Sequence, residues 1–440
     1  MLEKLFHLKE NNTRVRVEIG AGLTTFLTMS YILAVNPNIL GAAGMDKGAV
    51  FVATCIAAAV GSVIMGLLAN WPIGMAPGMG LNVFFAYTVV ITMGYSWQQA
   101  LGAVFLSGIV FLVLTATGVR QWLIAGVPRS LRSAIAAGIG MFLAIVAFQN
   151  AGIVVKNDAT LVGLGDVTKV APVLAAIGLF IIVTLDAFKI RGGILAGIII
   201  VTILSFIFTE EGYRNFRALL QTGGISLPPS VAPTFLQLDI AGVLHTGIFH
   251  VLLVFVLVEI FDATGTLVGV GKRAGLIPED KPNNLGKALF ADSTAILAGS
   301  LIGTSSTTAY VESASGVTAG GRTGLTAITI AAFFVLALFF SPIALAIPAY
   351  ATAPALIFVA CLMMREFVEI NWNNIVEAVP AALTALLMPF TYSIANGLAF
   401  GFISYAVLKT LTGKWRDVHP ATWIIALLFI LRFLIEGGIF

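Results

Sequence analysis

Val251-Leu-Leu-Val-Phe-Val-Leu-Val-Glu259-Ile-Phe-Asp262-Ala-Thr-Gly-Thr-Leu-Val-Gly-Val270 is the stretch on which the fold turns. A bilayer crossing takes about 20 apolar residues. This run is that long, yet it carries two carboxylates near its middle. An ionisable group at such depth is costly unless it is paired or faces a protein-lined cavity, so it marks a substrate or proton pathway. Glu259 and Asp262 are three apart and share one face of a helix. A second segment, Ser306-Thr-Thr-Ala-Tyr310-Val-Glu312-Ser-Ala-Ser-Gly-Val-Thr-Ala319, carries Glu312 among small, uncharged residues, with no basic partner nearby in sequence. The competing reading for each acid is a structural pair with a neighbouring helix. For Glu259, a turn deeper in the apolar run, the two readings weigh equally. Two acids on separate spans are the skeleton of a secondary transporter.

The rest of the chain agrees with a polytopic membrane protein. It is 59% hydrophobic and 10% charged, with a mean hydropathy of +1.00, more apolar surface than a water-soluble chain of 440 residues can hide. Fourteen candidate spans start near Val17, Ala49, Ile73, Gln98, Ser130, Ala171, Gly192, His245, Lys287, Ser305, Thr323, Ala351, Ile375 and Ile394. No cleavable signal peptide is expected, and the first span serves as the insertion signal. Cys55 and Cys361 lie in apolar runs, which argues against a disulfide. The 45 glycines suit closely packed helices.

With the N-terminus inside, alternation places 18 basic residues on inward loops, Arg120 and Lys281 among them, and 5 on outward loops. That bias sets the orientation, with both termini cytoplasmic, and needs an even number of spans before Lys409. The segment Ala421–Phe440, interrupted by Arg432 and Glu436, either lies along the cytoplasmic interface as a tail helix or crosses the membrane.

A hydrophilic stretch from Thr209 to Leu244, with Pro228, Pro229 and Pro233, divides the chain into halves of seven spans each. Seven is odd, so the second half enters from the opposite side, and the halves are candidates for inverted repeats with substrate bound between them. The third span of each half is interrupted. Gly74-Met-Ala-Pro77-Gly78-Met-Gly80-Leu-Asn82 cannot form a continuous helix, and Gly303-Thr-Ser-Ser-Thr-Thr-Ala-Tyr310 reads as extended before turning helical. Asn82 follows the first break, and its amide either meets a planar heterocycle or caps the half-helix starting there. Thr24, Thr25, Thr28 and Ser30 either line the same cavity or bond to their own helix. No His-Glu-x-x-His, Gly-x-Ser-x-Gly or Walker A pattern occurs, so neither an enzyme nor an ATP-driven pump is supported. The energy source is then a gradient, and titratable carboxylates favour protons.

These residues also carry a resemblance. Leu23-Thr-Thr-Phe-Leu-Thr-Met-Ser-Tyr-Ile, Ala76-Pro-Gly-Met-Gly-Leu-Asn82, Phe261-Asp-Ala-Thr-Gly-Thr, Ala309-Tyr-Val-Glu-Ser-Ala-Ser-Gly-Val and Gly320-Gly-Arg-Thr-Gly-Leu-Thr-Ala327 together resemble bacterial adenine/guanine/hypoxanthine permeases. These form the AzgA-like branch of the nucleobase–cation symporter-2 family, and the resemblance covers essentially the whole chain. It implies an all-α membrane protein of fourteen spans as seven-plus-seven inverted repeats, with short strands in spans 3 and 10. It implies a core domain (1–125 and 245–348) that moves elevator-like against a gate domain (126–210 and 349–412), a tail from 413 to 440, and a homodimer. Substrate contacts then fall on Glu312, Asp262, Asn82, Thr308, Phe261, Thr25 and Ser313, and proton coupling on Asp262, Glu259 and Glu312. Two departures from the family pattern stand out: Glu259, where members carry Asp or Asn, and Val83, commonly Ala.

The expectation is therefore a proton-coupled importer of purine nucleobases in the bacterial inner membrane, with no cofactor, no resident metal and no nucleic-acid partner. An anion exchanger or channel on the same scaffold would want positive charge at the site, where this chain supplies carboxylates. A receptor or structural assembly would not need mid-membrane acids at all.

Overall fold

The computed structural model describes residues 2–246, 249–277 and 284–436. Lys281 and the last four residues of the tail lie outside the described residues.

The chain opens with α1 (Val15–Ala42), α2 (Lys47–Ala69), β1 (Met75–Pro77), α3 (Met79–Thr92) and α4 (Trp97–Ala116). Next come α5 (Val119–Gly126), α6 (Arg129–Asn150), the hairpin β2–β3 (Val154–Asn157, Leu161–Leu164), α7 (Val170–Ala187) and α8 (Gly193–Phe208). The hydrophilic divider holds two surface helices, α9 (Glu210–Thr222) and α10 (Ile240–Thr246). The second half runs through α11 (Phe249–Arg273), α12 (Leu285–Ile302), β4 (Thr307–Ala309), α13 (Ser313–Thr318) and α14 (Gly324–Leu345). It ends with α15 (Ala349–Glu369), α16 (Ile375–Phe390), α17 (Ile394–Leu411) and α18 (Pro420–Glu436).

Among the described residues ten helices are long and apolar enough to cross a membrane, against the fourteen apolar segments read from the sequence. The shortfall has local causes. At 1.5 Å per residue a helix of 16 residues spans only about 24 Å. Helices α8 and α16 have that length, and α8 breaks by 104° into α9. In the third segment of each half, the extended β1 and β4 consume the first residues, leaving the short helices α3 and α13.

Side chains close several of the helix starts. Asp46 accepts the Ala49 N–H at 2.7 Å, and Ser96 with Gln99 forms a reciprocal capping box. Thr323, Asn374 and Ser393 cap α14, α16 and α17. Glycines permit close helix approach. A Cβ at Gly324 would lie 2.0 Å from the Gly66 carbonyl oxygen, and one at Gly138 would lie 2.9 Å from Ala385 Cα.

Helix α1 packs on α14, α2 on both α12 and α14, and α4 on α11 and α12. A second set packs among itself: α6 on α15 and α16, α7 on α8 and α15, α16 on α17. Helix α18 lies against α17 and α5, burying Ala421, Thr422, Ile425, Ala426 and Phe429 and exposing Leu427, Leu428 and Leu431. Arg432, read above as interrupting this segment, is turned onto the buried face, where it donates to Asn396 Oδ1 at 3.2 Å. Arg120, counted with the inward loops, is fully buried, because α5 folds back onto α4 and α11.

Candidate functional site

The site forms where the two interrupted segments cross. Strands β1 and β4 pair antiparallel in the register Met75↔Ala309, Ala76↔Thr308, Pro77↔Thr307. The ladder extends at both ends, with Gly78 N–H donating to Ser306 O at 2.9 Å and Tyr310 N–H to Gly74 O at 3.0 Å. Backbone groups that no helix can satisfy at this depth thus satisfy each other. Side chains complete the account: Ser62 Oγ accepts the Met75 N–H at 2.9 Å, Ser313 Oγ the Gly74 N–H at 3.0 Å, and Tyr310 Oη donates to Pro77 O at 2.6 Å. Proline is tolerated because Pro77 ends the strand. Gly78 is needed for proximity, since a Cβ there would meet Thr308 Cγ2 at 2.8 Å.

Helices α3 and α13 start from this crossing. Asn82 sits fully buried in the first turn of α3. It does not cap that helix, whose N-cap is Gly78. Instead its Oδ1 accepts from the Ser305 hydroxyl, and its Nδ2 is buried without a partner. Beyond Asn82, α3 is wound as a π-helix over Phe84–Thr92, a form that often marks functional positions. Glu312 occupies the N-cap position of α13 but caps nothing, and its carboxylate accepts from Tyr31 Oη at 2.6 Å. Tyr31 lies where α1 bends between Met29 and Ile32, and Thr28 Oγ1 meets Ser315 Oγ at 3.0 Å beside it.

Helix α11 presents its two acids to the same place. Asp262 is half-buried, interacts electrostatically with Glu312 and Asp292, and lies with Oδ2 3.8 Å from where a Gly78 Cβ would stand. No hydrogen bond joins it to another described residue. Glu259 is fully buried, and neither of its oxygens has a hydrogen-bond partner. Ser306 is its neighbouring hydroxyl, the two groups standing close to each other but outside full hydrogen-bond geometry.

The other anticipated residues are placed differently. Thr308 donates to Asp292 Oδ1 at 3.1 Å, so its hydroxyl holds β4 to α12. Ser313 is taken up by the Gly74 N–H. Thr25 is fully buried, with an unpartnered hydroxyl against Gly316, where a Cβ would stand only 2.1 Å from it. Thr24 donates to the Gly20 carbonyl and Ser30 to that of Leu27, both within their own helix. Phe261 is half-buried and stacks on Phe402 of α17, at 6.4 Å and 28°.

Three residues at this crossing were not singled out by the sequence. Asp292 on α12 accepts from Arg120 Nη2 at 3.2 Å, from Thr308 and from the Ala309 N–H at 3.3 Å. The signal for it was present, since Asp292 is as isolated in its apolar segment as Glu312. Arg120 was hidden by its position between spans. Tyr31 gave no sign until α1 bent it toward Glu312.

The Xan_ur_permease model, described as a permease family, matches residues 16–400. Adenine permease AdeP of Escherichia coli (strain K12) is 48% identical over 433 residues, covering 98% of this chain and 96% of its own. Guanine/hypoxanthine permease PbuO of Bacillus subtilis (strain 168) is 44% identical, covering 98% of this chain and all of its own length (100%). Among solved structures, the transmembrane domain of a cyanobacterium bicarbonate transporter, BicA, superposes with a TM-score of 0.64 at 15% identity, covering 87% of this chain and 96% of that one. That last likeness speaks for the fold alone. The chain belongs to the Xan_ur_permease family and is a transporter, not an enzyme.

Proposed function

We propose that this protein is a proton-coupled symporter that imports purine nucleobases across the bacterial inner membrane. The observation that carries the reading is Glu312, a carboxylate at the start of a half-helix with one side-chain donor, Tyr31, among the described residues. A carboxylate so placed can accept paired N–H groups from the edge of a planar base. Asn82 supports the reading from the other segment, with a buried amide N–H₂ that has no acceptor. Asp262, beside Gly78 and without a hydrogen bond to another described residue, is the acid best placed to meet both base and proton. The names of AdeP and PbuO point to adenine, guanine and hypoxanthine as the substrate class.

In this reading the fourteen apolar segments are two inverted sets of seven, each broken in its third member by β1 or β4. Residues 1–125 and 245–348 form a core that carries the base by an elevator-like motion against residues 126–210 and 349–412. The separate packing of α1–α4 with α11–α14 and of α6–α8 with α15–α17 supports this division. The Phe261–Phe402 stack lies on the boundary between the two. The protein works as a homodimer with cytoplasmic termini and takes its energy from the proton gradient without a cofactor.

The test is uptake of radiolabelled adenine, guanine and hypoxanthine by bacteria lacking their own purine permeases and carrying this gene. Accumulation that collapses on adding a protonophore is expected. Cells that take up none of the three bases, or that take up bicarbonate instead, would overturn the proposal.

A further inference from the structure

Arg120 is fully buried and every one of its donor groups is used. Its Nε and Nη2 donate to Thr264 Oγ1 at 3.3 and 3.0 Å, and its Nη1 to Leu289 O at 3.2 Å and Thr115 Oγ1 at 3.5 Å. Its Nη2 pairs with Asp292 at 3.2 Å, and the guanidinium lies 4.0 Å over the Phe111 ring. Three helices therefore converge on one cation: α4 through Phe111 and Thr115, α11 through Thr264, and α12 through Leu289 and Asp292.

Around that cation the buried acids divide into two kinds. Asp292 has three donors. Glu259 has only the Ser306 hydroxyl beside it, outside full hydrogen-bond geometry, and feels Asp292, Arg120 and Asp262 electrostatically. Ionising a buried carboxylate is costly unless donors or a cation answer its charge. Arg120 answers one negative charge at a time, and Asp292 alone has further donors, Thr308 and the Ala309 N–H, to hold its charge when the guanidinium turns away. The orphaned hydroxyl of Ser306, facing Glu259 from the strand crossing, gives that proton a polar neighbour toward the substrate side.

Resting on the symport reading above, we infer that Arg120 is a positioning residue for coupling: it serves as the counter-ion shared by Asp292 and Glu259, and so lets Glu259 carry a transported proton alongside Asp262. When Glu259 is protonated, Arg120 pairs with Asp292, the arrangement in this structure. When Glu259 releases its proton to water on the inward side, the same guanidinium answers its charge, and the carboxylate is reloaded from water on the outward side. Because Asp292 also holds Thr308 and the Ala309 N–H, a shift of Arg120 toward Glu259 changes the tension on β4, whose next segment carries Glu312. Glu259 is faced by Asp292 on α12, Arg120 on α5 and Asp262 on its own helix. Substrate occupancy and protonation are thus joined through one strand.

The experiment is adenine transport into proteoliposomes loaded with a pH-sensitive dye, reading protons moved per adenine moved. That ratio reports coupling whatever the residual rate. For the parent protein, protons must enter with adenine; if adenine enters alone, the symport reading itself fails. In the charge-neutral pair Arg120→Gln/Asp292→Asn, Glu259 loses its counter-ion and keeps its proton instead of releasing it inward, and the ratio falls roughly tenfold or more. Arg120→Lys, which keeps the charge but not the fork, retains the parental ratio at a lower rate. Should the pair be too unstable to reconstitute, Glu259→Gln decides, with loss of co-transported protons expected. A parental ratio in either Glu259→Gln or the neutral pair, or loss of coupling in Arg120→Lys equal to that in the neutral pair, overturns the inference while leaving symport intact.

Discussion

Glu18 and Glu312 stand at two points along the same partnership, between α1 and the stretch from Glu312 to Thr326, and they are used in opposite ways. Glu18 is fully buried and accepts from the Arg322 N–H at 3.0 Å, the Thr323 N–H at 3.2 Å and Thr326 Oγ1 at 2.6 Å. It closes the start of α14 with a carboxylate borrowed from another helix, a remote version of a helix cap. Glu312 is half-buried and has one side-chain donor, Tyr31. Both are acids in apolar surroundings, and by composition they are equivalent. What separates them is how many donors the fold supplies: three satisfy a carboxylate, while one leaves it ready to bind. The same contrast holds between Asp292 and Glu259.

That contrast can be broken or sharpened by substitution, beginning with the largest effect. Glu312→Ala removes the acceptor for a base edge. At about 1.5–3 kcal/mol for each charged hydrogen bond, adenine affinity in detergent should fall by roughly a thousandfold, with Glu312→Asp intermediate. An unchanged dissociation constant in Glu312→Ala would remove Glu312 from the site.

Glu18→Ala should instead act on stability. Two buried N–H groups and a hydroxyl lose their acceptor, at a cost of about 3 kcal/mol, read as a lower melting temperature in detergent. Adenine affinity of the folded fraction should stay within about threefold, an effect well below 1.4 kcal/mol. If Glu18→Ala weakened binding at an unchanged melting temperature, counting donors would not separate structural acids from functional ones.

Asn82→Ala tests the opposing segment. It frees Ser305 and removes the unpartnered Nδ2, and should weaken adenine binding by about 1–3 kcal/mol, or ten- to a hundredfold, with normal expression. A purine-bound structure with the Asn82 amide turned away from the base would assign it to Ser305 alone.

Asp262→Asn should change binding least. The amide keeps the size and one acceptor of the carboxylate, so adenine exchange across the membrane continues while accumulation against a gradient is lost. Uptake that still concentrates adenine in this variant would place coupling wholly on Glu259 and its neighbours.

Much of this architecture could be read from the residues. The two breaks were visible because Pro77 with its flanking glycines, and the Gly/Ser/Thr run from Gly303, cannot sustain a helix. Glu259, Asp262 and Glu312 stood out because charge inside an apolar run is rare. Asp292 obeyed the same rule and could have been found by it. Other features depend on tertiary contacts that no local pattern encodes. Arg120 sits in a short helix between spans and looks like a loop cation until α5 folds inward. Thr308 and Ser313 lie at the crossing, but their hydroxyls are committed to Asp292 and the Gly74 N–H, and only the register Ala76↔Thr308 decides that. The hairpin β2–β3, with exposed Leu161 and Leu164, has no apolar alternation to announce it.

The three-residue ribbon between β1 and β4 also has a meaning for biogenesis. Its strands are donated by residues 75–77 and 307–309, so the first half enters the membrane long before its pairing partner is synthesised. Until then the backbone of Met75, Ala76 and Pro77 stands at bilayer depth without a ladder, a state that lipid cannot satisfy. The nascent first half must therefore hold that segment in a wet or protein-lined shelter, either at the insertion machinery or within its own unfinished bundle. Ribosome-bound chains ending before Thr307 should expose this region to water-soluble cysteine labelling, and chains extended beyond Ala309 and fully released should protect it.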